Sequence, residues 1–179
     1  MVLKPQDVFI ALKLVALGRR NWTYAALSQS LHMSASEINA GVKRGIRARL
    51  LTPPQKRGDN PRPILMALEE FLVHGVKYAF PPDRGALTMG VATGHAGPHG
   101  MGETWQVEEI PPVWPHPHGK QRGYAFSPLY PSVPEAASED PRLYQLLALT
   151  DILRDEQARE RNQAARQLSL AMREAISST

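Results

Sequence analysis

The sequence predicts a mainly α-helical protein with a small β component, arranged as helices over residues 1–80, a Pro/Gly-rich stretch with short strands over 81–141, and a helical tail over 142–179. Three observations carry this. Apolar residues recur at helical spacing in the first and last stretches. The middle holds eleven of the sixteen prolines and eight of the thirteen glycines, residues that break helices by removing a donor or raising the entropic cost of order. Charge also divides: residues 1–80 carry twelve Lys or Arg against five Asp or Glu, a net of +7, and residues 81–179 carry nine against twelve, a net of −3. A basic module beside a slightly acidic one suits binding to a polyanion, because each neutralised phosphate releases condensed counterions.

At 179 residues the chain has the length of one domain, or of one small domain with an appendage. With no cysteine, disulfides, thiolate metal sites and cysteine nucleophiles are excluded, which fits a cytoplasmic setting. Residues 9–17 resemble the apolar core of a signal peptide, but Lys13 interrupts them and no small-residue cleavage site follows. They read as a core helix. No apolar run reaches the roughly 18 residues of a membrane span, so no membrane partner is expected.

Taken in order, Pro5 suits the first turn of a helix, and the apolar run 8–17 ends at Gly18, a natural left-handed cap. After Arg19-Arg20-Asn21, Thr23 can cap a second helix through Leu31, with Ala26, Leu27 and Leu31 facing inward. His32-Met33-Ser34 is a tight link. Ser34 and Glu37 form the S-x-x-E pattern in which each side chain satisfies a free amide at a helix start. In the third helix Ile38, Val42 and Ile46 recur every fourth residue and face the core. Ser36, Ala40, Lys43 and Arg47 are left on the opposite side, with Asn39 and Arg44 flanking it. Residues 50–52 then read as a strand, 53–61 as a flexible loop bearing Lys56 and Arg57, and Pro63 as the start of a fourth helix that runs through His74 and stops at Gly75. From Lys43 to Arg62 there are seven basic residues and one acid, a continuous positive stripe over the third helix and the loop.

In the middle stretch residues 104–110 alternate like a strand, and Val113-Trp114 faces residues 123–126 across the turn-prone His116-Pro117-His118-Gly119, which predicts a β-hairpin. His95, His99, His116 and His118 could be imagined as metal ligands, but their spacing fits no known ligand pattern and solvated loop histidines are the plainer reading. No metal or cofactor is expected. Glu108 and Glu109 would point to opposite faces of a strand and make a poor acid/base pair. With no phosphate loop, nucleophile elbow or HExxH, the chain is not expected to be an enzyme. Met33 and Met66 read as fillers of core gaps, and Trp22 as packing the start of the second helix. The tail carries Leu143, Leu146, Leu147, Leu149, Ile152, Leu153, Ala164, Leu168, Ala171 and Met172 at helical spacing, as one long helix or two shorter ones.

The segment from Trp22 to Ile38, with its small residue in the second helix, apolar residue after the turn and aliphatic residue inside the third, resembles the winged helix-turn-helix regulators. Such proteins often have glycine at the turn position held here by His32, which must adopt a positive φ or another turn. The resemblance implies a third helix lying in the major groove of double-stranded DNA. Ser34, Ser36, Asn39, Lys43, Arg44 and Arg47 would then contact the duplex, and Lys56, Arg57 and Arg62 would hold its backbone. The expected function is a sequence-specific transcriptional regulator, a dimeric repressor whose tail serves as a dimerisation arm. A second reading is an antitoxin or adaptor whose residues 81–179 grip a protein partner.

Overall fold

The structure is a computed structural model that describes residues 1–98, 110–155 and 158–178. It is mainly helical with a small β component, 56% helix and 14% strand.

Helix α1 (Pro5–Leu17) opens with proline at its first turn, where Asp7 Oδ2 accepts the Lys4 amide at 2.8 Å, and closes at Gly18 with φ 64°. Every side chain from Asp7 to Ala16 is buried. A helix covered on all sides is a hub. Its one amine, Lys13, is matched by Asp140 Oδ2 at 2.7 Å.

Thr23 Oγ1 accepts the Ala26 amide at 3.1 Å and caps α2 (Tyr24–Leu31). Leu27 and Leu31 are buried as expected, but Ala26 is exposed. On so short a helix the inward edge is narrow, and half-buried Ser28, whose hydroxyl donates to the Met33 carbonyl at 2.5 Å, takes the neighbouring place. His32 ends α2 in the left-handed conformation, φ 51° and ψ 44°, so the histidine accepts the turn geometry that glycine would fill more cheaply. Ser34 Oγ accepts the Glu37 amide at 3.2 Å and caps α3 (Ala35–Arg47). Ile38 and Val42 are fully buried and Ile46 half-buried.

β1 (Leu51–Thr52) pairs antiparallel with β2 (Arg62–Pro63), leaving residues 53–61 as a projecting loop. Pro63 therefore belongs to a strand and does not start the next helix. A proline costs nothing on the edge of a two-stranded ladder. Helix α4 (Leu65–Glu70) follows, widens into a π turn over Phe71–Gly75, and continues as α5 (Val76–Ala79). Gly75, expected to stop the helix, sits inside it beside the Phe71 ring, 2.9 Å from where a Cβ would lie.

The Pro/Gly-rich middle builds a closed three-stranded sheet from β3 (Arg84–Ala92), β4 (Pro112–Pro115) and β5 (Gln121–Phe126). The expected β4–β5 hairpin is corrected: these strands run parallel to one another, and each pairs antiparallel with β3. The strand that unites them lies earlier in the chain. Gly90 makes the closure feasible, since a Cβ there would fall 2.1 Å from the Trp114 carbonyl oxygen. The strand expected over residues 104–110 lies outside the described residues except for Ile110, which is exposed in a bend.

Helices α6 (Val133–Glu139), α7 (Pro141–Asp155) and α8 (Ala158–Ser177) complete the chain. The tail is thus two helices, packed on each other and on α1. Leu143, Leu146, Leu147, Ile152, Leu153, Ala164, Leu168, Ala171 and Met172, the residues that suggested a dimerisation arm, are buried inside the protomer. One hydrophobic cluster joins α1, α2, α3, α4, the sheet residues Trp114 and Phe126, and both tail helices.

A buried polar knot ties the sheet to α7. Asp151 Oδ2 accepts from Thr93 Oγ1 at 2.6 Å and Trp114 Nε1 at 2.8 Å, and Asp151 Oδ1 accepts from Arg154 at 2.8 Å. Arg154 also donates to the carbonyls of Phe80 and Ser127. Burial pushes the Asp151 carboxyl above the usual range, and Arg154, Thr93 and Trp114 pull against that shift.

Gln167 on α8 is buried with neither amide atom hydrogen-bonded. A buried, unsatisfied amide costs about 1–3 kcal/mol. Gln167→Met, which keeps length and removes the polar atoms, is therefore expected to raise stability by about 1 kcal/mol. Chemical unfolding with an unchanged m-value would register this as a higher midpoint, and a lower midpoint would contradict it.

Candidate nucleic-acid interface

Amphipathicity presents the outer edge of α3. Ser36, Asn39, Lys43 and Arg47 are all exposed, and Ser36, Asn39, Ala40 and Lys43 line a shallow groove of about 390 Å³ with Met1 and Arg44. The inner edge is held close to α1 by Gly41, where a Cβ would lie 2.5 Å from Ile10 Cδ1 and 2.9 Å from Asp7 Oδ1.

That close approach decides the role of Arg44. Its Nε and terminal nitrogen grip the two oxygens of buried Asp7 at 2.7 and 2.8 Å, a bidentate pair between α3 and α1. The Asp7 hydrogen bond holds the guanidinium above its ordinary pKa despite burial. Arg44, expected on the outer flank, is instead neutralised from within and acts as a pin. Its neighbour Lys43 is the exposed cation.

The segment after the sheet touches this module without covering it. Tyr130 donates to Glu37 at 3.0 Å and stacks with Phe9. Burial first, and then Glu37, raise the Tyr130 phenol above its usual pKa. Ser132 donates to the Leu31 carbonyl at 2.6 Å, and His32 Nε2 lies 3.1 Å from Glu139. These contacts reach the α2–α3 turn and the first turn of α3. The outer-edge residues Ser36, Asn39, Lys43 and Arg47 remain exposed.

No family model, no curated protein and no solved structure matches this chain.

The projecting loop carries Lys56 and Arg57, both exposed. It is shaped by Asp59, which accepts the Lys56 amide at 2.9 Å, and by Asn60, whose amide both accepts from and donates to the Trp22 backbone at 2.9 Å. Arg62 likewise works on backbone, donating to the carbonyls of Gly18 and Arg20 and also to Asn21 Oδ1, at 3.0–3.1 Å. It fastens the loop base to the α1–α2 connection. Ser34 is exposed, but its hydroxyl is engaged with Glu37 as the helix cap.

The structure therefore brings Ser36, Asn39 and Lys43 together, extends the cationic edge to Arg47, and places Lys56 and Arg57 on the loop. Ser34, Arg44 and Arg62 serve the scaffold. Asp7 and Asn60 escape a reading of the sequence because each acts on a distant partner. Only the position of Asp7, an acid at the start of an otherwise apolar helix, hints at it.

The histidines of the middle stretch separate. His95 is buried in a short turn (Gly94–Ala96), His116 faces Glu135 at 3.3 Å, His118 is exposed, and His99 lies outside the described residues. Among the described residues no group of three His, Cys, Asp or Glu could hold a metal ion, and no helix is long and apolar enough to cross a membrane.

Arg62→Ala is expected to lower stability by about 1–2 kcal/mol through the loss of its backbone hydrogen bonds. Thermal unfolding checks this, and an unchanged Tm would show the loop base to be held by other contacts.

Proposed function

We propose that this chain is a winged helix-turn-helix regulator that binds double-stranded DNA, with α3 in the major groove and the 53–61 loop as its wing. The observation that supports it most is the exposed outer edge of α3 together with the pinning of its inner edge by the Asp7–Arg44 pair. A rigidly seated helix can present Asn39 and Ser36 to base edges while Lys43 and Arg47 lie beside phosphates. Lys56 and Arg57 would follow the backbone one step away. The basic balance of residues 1–80 supplies the long-range attraction, and cytoplasmic residence accords with that role.

Binding to a pool of random duplexes, followed by sequencing of the retained fraction, tests this reading. A short enriched motif is the expected result, with Lys56→Ala weakening all sequences alike and reducing the salt slope by about one. No retention above a charge-matched control protein would refute the reading. The antitoxin or adaptor reading draws on the exposed apolar side chains Leu87, Met89 and Ile110 of the middle stretch. It predicts a stoichiometric protein partner that co-purifies through residues 81–179.

A further inference from the structure

Met66, expected to fill a core gap, is one of the most exposed large apolar side chains, at 84%. It lies on α4 opposite Leu170 of α8, itself 59% exposed, across a surface groove of about 720 Å³. The groove is walled by opposite charges: Glu69 and Glu70 on the α4 side, Arg166 and Arg173 on the α8 side. Among the described residues no ion pair joins the two walls.

We propose that this groove is the face on which a second copy of the chain docks, forming a two-fold dimer through α4 and α8. A two-fold axis brings each patch against itself, so a self-pairing surface must be self-complementary. An acidic wall beside a basic wall meets that requirement: the α4 acids of one copy meet the α8 arginines of the other, twice. A foreign partner would need no such internal balance. Met66 and Leu170 add exposed apolar area to those charged walls, a combination that a specific interface uses. The inference names a surface for the dimer that the sequence led us to expect, and it does not depend on DNA contact.

Light scattering on purified protein without DNA should give twice the 19.8 kDa chain mass. Leu170→Glu and Met66→Glu each place charge on that apolar surface and should give one chain mass with an unchanged far-ultraviolet circular dichroism spectrum. Reversing one wall (Glu69→Arg with Glu70→Arg) or the other (Arg166→Glu with Arg173→Glu) should yield monomers that pair one-to-one when mixed. That rescue excludes misfolding as the cause of lost pairing. Wild-type protein of single-chain mass, a dimer that survives Leu170→Glu, or reversed chains that fail to pair would each overturn the proposal. A Lys43→Ala/Arg47→Ala variant that dimerises normally while failing on DNA separates this proposal from the DNA reading.

Discussion

Alanine at both Lys43 and Arg47 is expected to cut affinity for duplex DNA about 100-fold at moderate salt. Each cation on the outer edge of α3 contributes about 1.4 kcal/mol, a factor of about ten, if it neutralises a phosphate beside the groove. Both side chains are exposed, so the fold should lose no more than about 0.5 kcal/mol. Fluorescence anisotropy across a salt series reads both quantities needed: the affinity at fixed salt and a slope shallower by about two. Asn39→Ala should behave differently, shifting preference at one or two base pairs by about 1–3 kcal/mol each while leaving the slope unchanged. Unaltered affinity in the double variant would remove α3 from the interface altogether.

Asp151→Ala should produce the largest loss of stability, about 3–5 kcal/mol. The carboxylate is the common acceptor for Thr93, Trp114 and Arg154, so its removal leaves a buried guanidinium and a buried indole N–H facing a cavity. A domain with about 5–15 kcal/mol in hand could lose a third or more of its stability. Urea unfolding measures the effect. A second variant, Asp151→Leu with Arg154→Met, removes the whole charged pair and should recover part of the loss, because no uncompensated charge remains while Trp114 Nε1 and the Phe80 and Ser127 carbonyls lose their partners. A cost below about 1 kcal/mol for Asp151→Ala would mean that water reaches the knot and satisfies Arg154 in its place.

The elements visible in the sequence are those governed by neighbours. Thr23, His32 and Ser34 each act within five residues: both caps form, His32 takes the left-handed one of the two turns open to it, and Glu37 meets the Ser34 hydroxyl where a reciprocal bond to its amide was expected. The every-fourth-residue recurrence of Ile38, Val42 and Ile46 likewise places the inner edge of α3. What stays hidden depends on partners far along the chain. Lys43 and Arg44 are adjacent cations and look equivalent; only Asp7, 37 positions from Arg44, separates a pin from an exposed charge. β3 escapes notice because its burial does not alternate cleanly, and its glycines at 85 and 90 read as loop. The π turn, Met66 and the closed sheet are further cases in which tertiary packing overrides local preference.

The complete enclosure of α1 has a consequence for how the chain reaches its final form. α1 leaves the ribosome well before α7 and α8, the two helices that cover part of its surface. Until they emerge, the part of α1 that α3 and β2 do not cover has no permanent neighbours, so the nascent chain carries a sticky segment through most of its synthesis. A fragment ending near residue 80 would keep α3 yet expose that segment, and its expected fate is aggregation rather than independent folding.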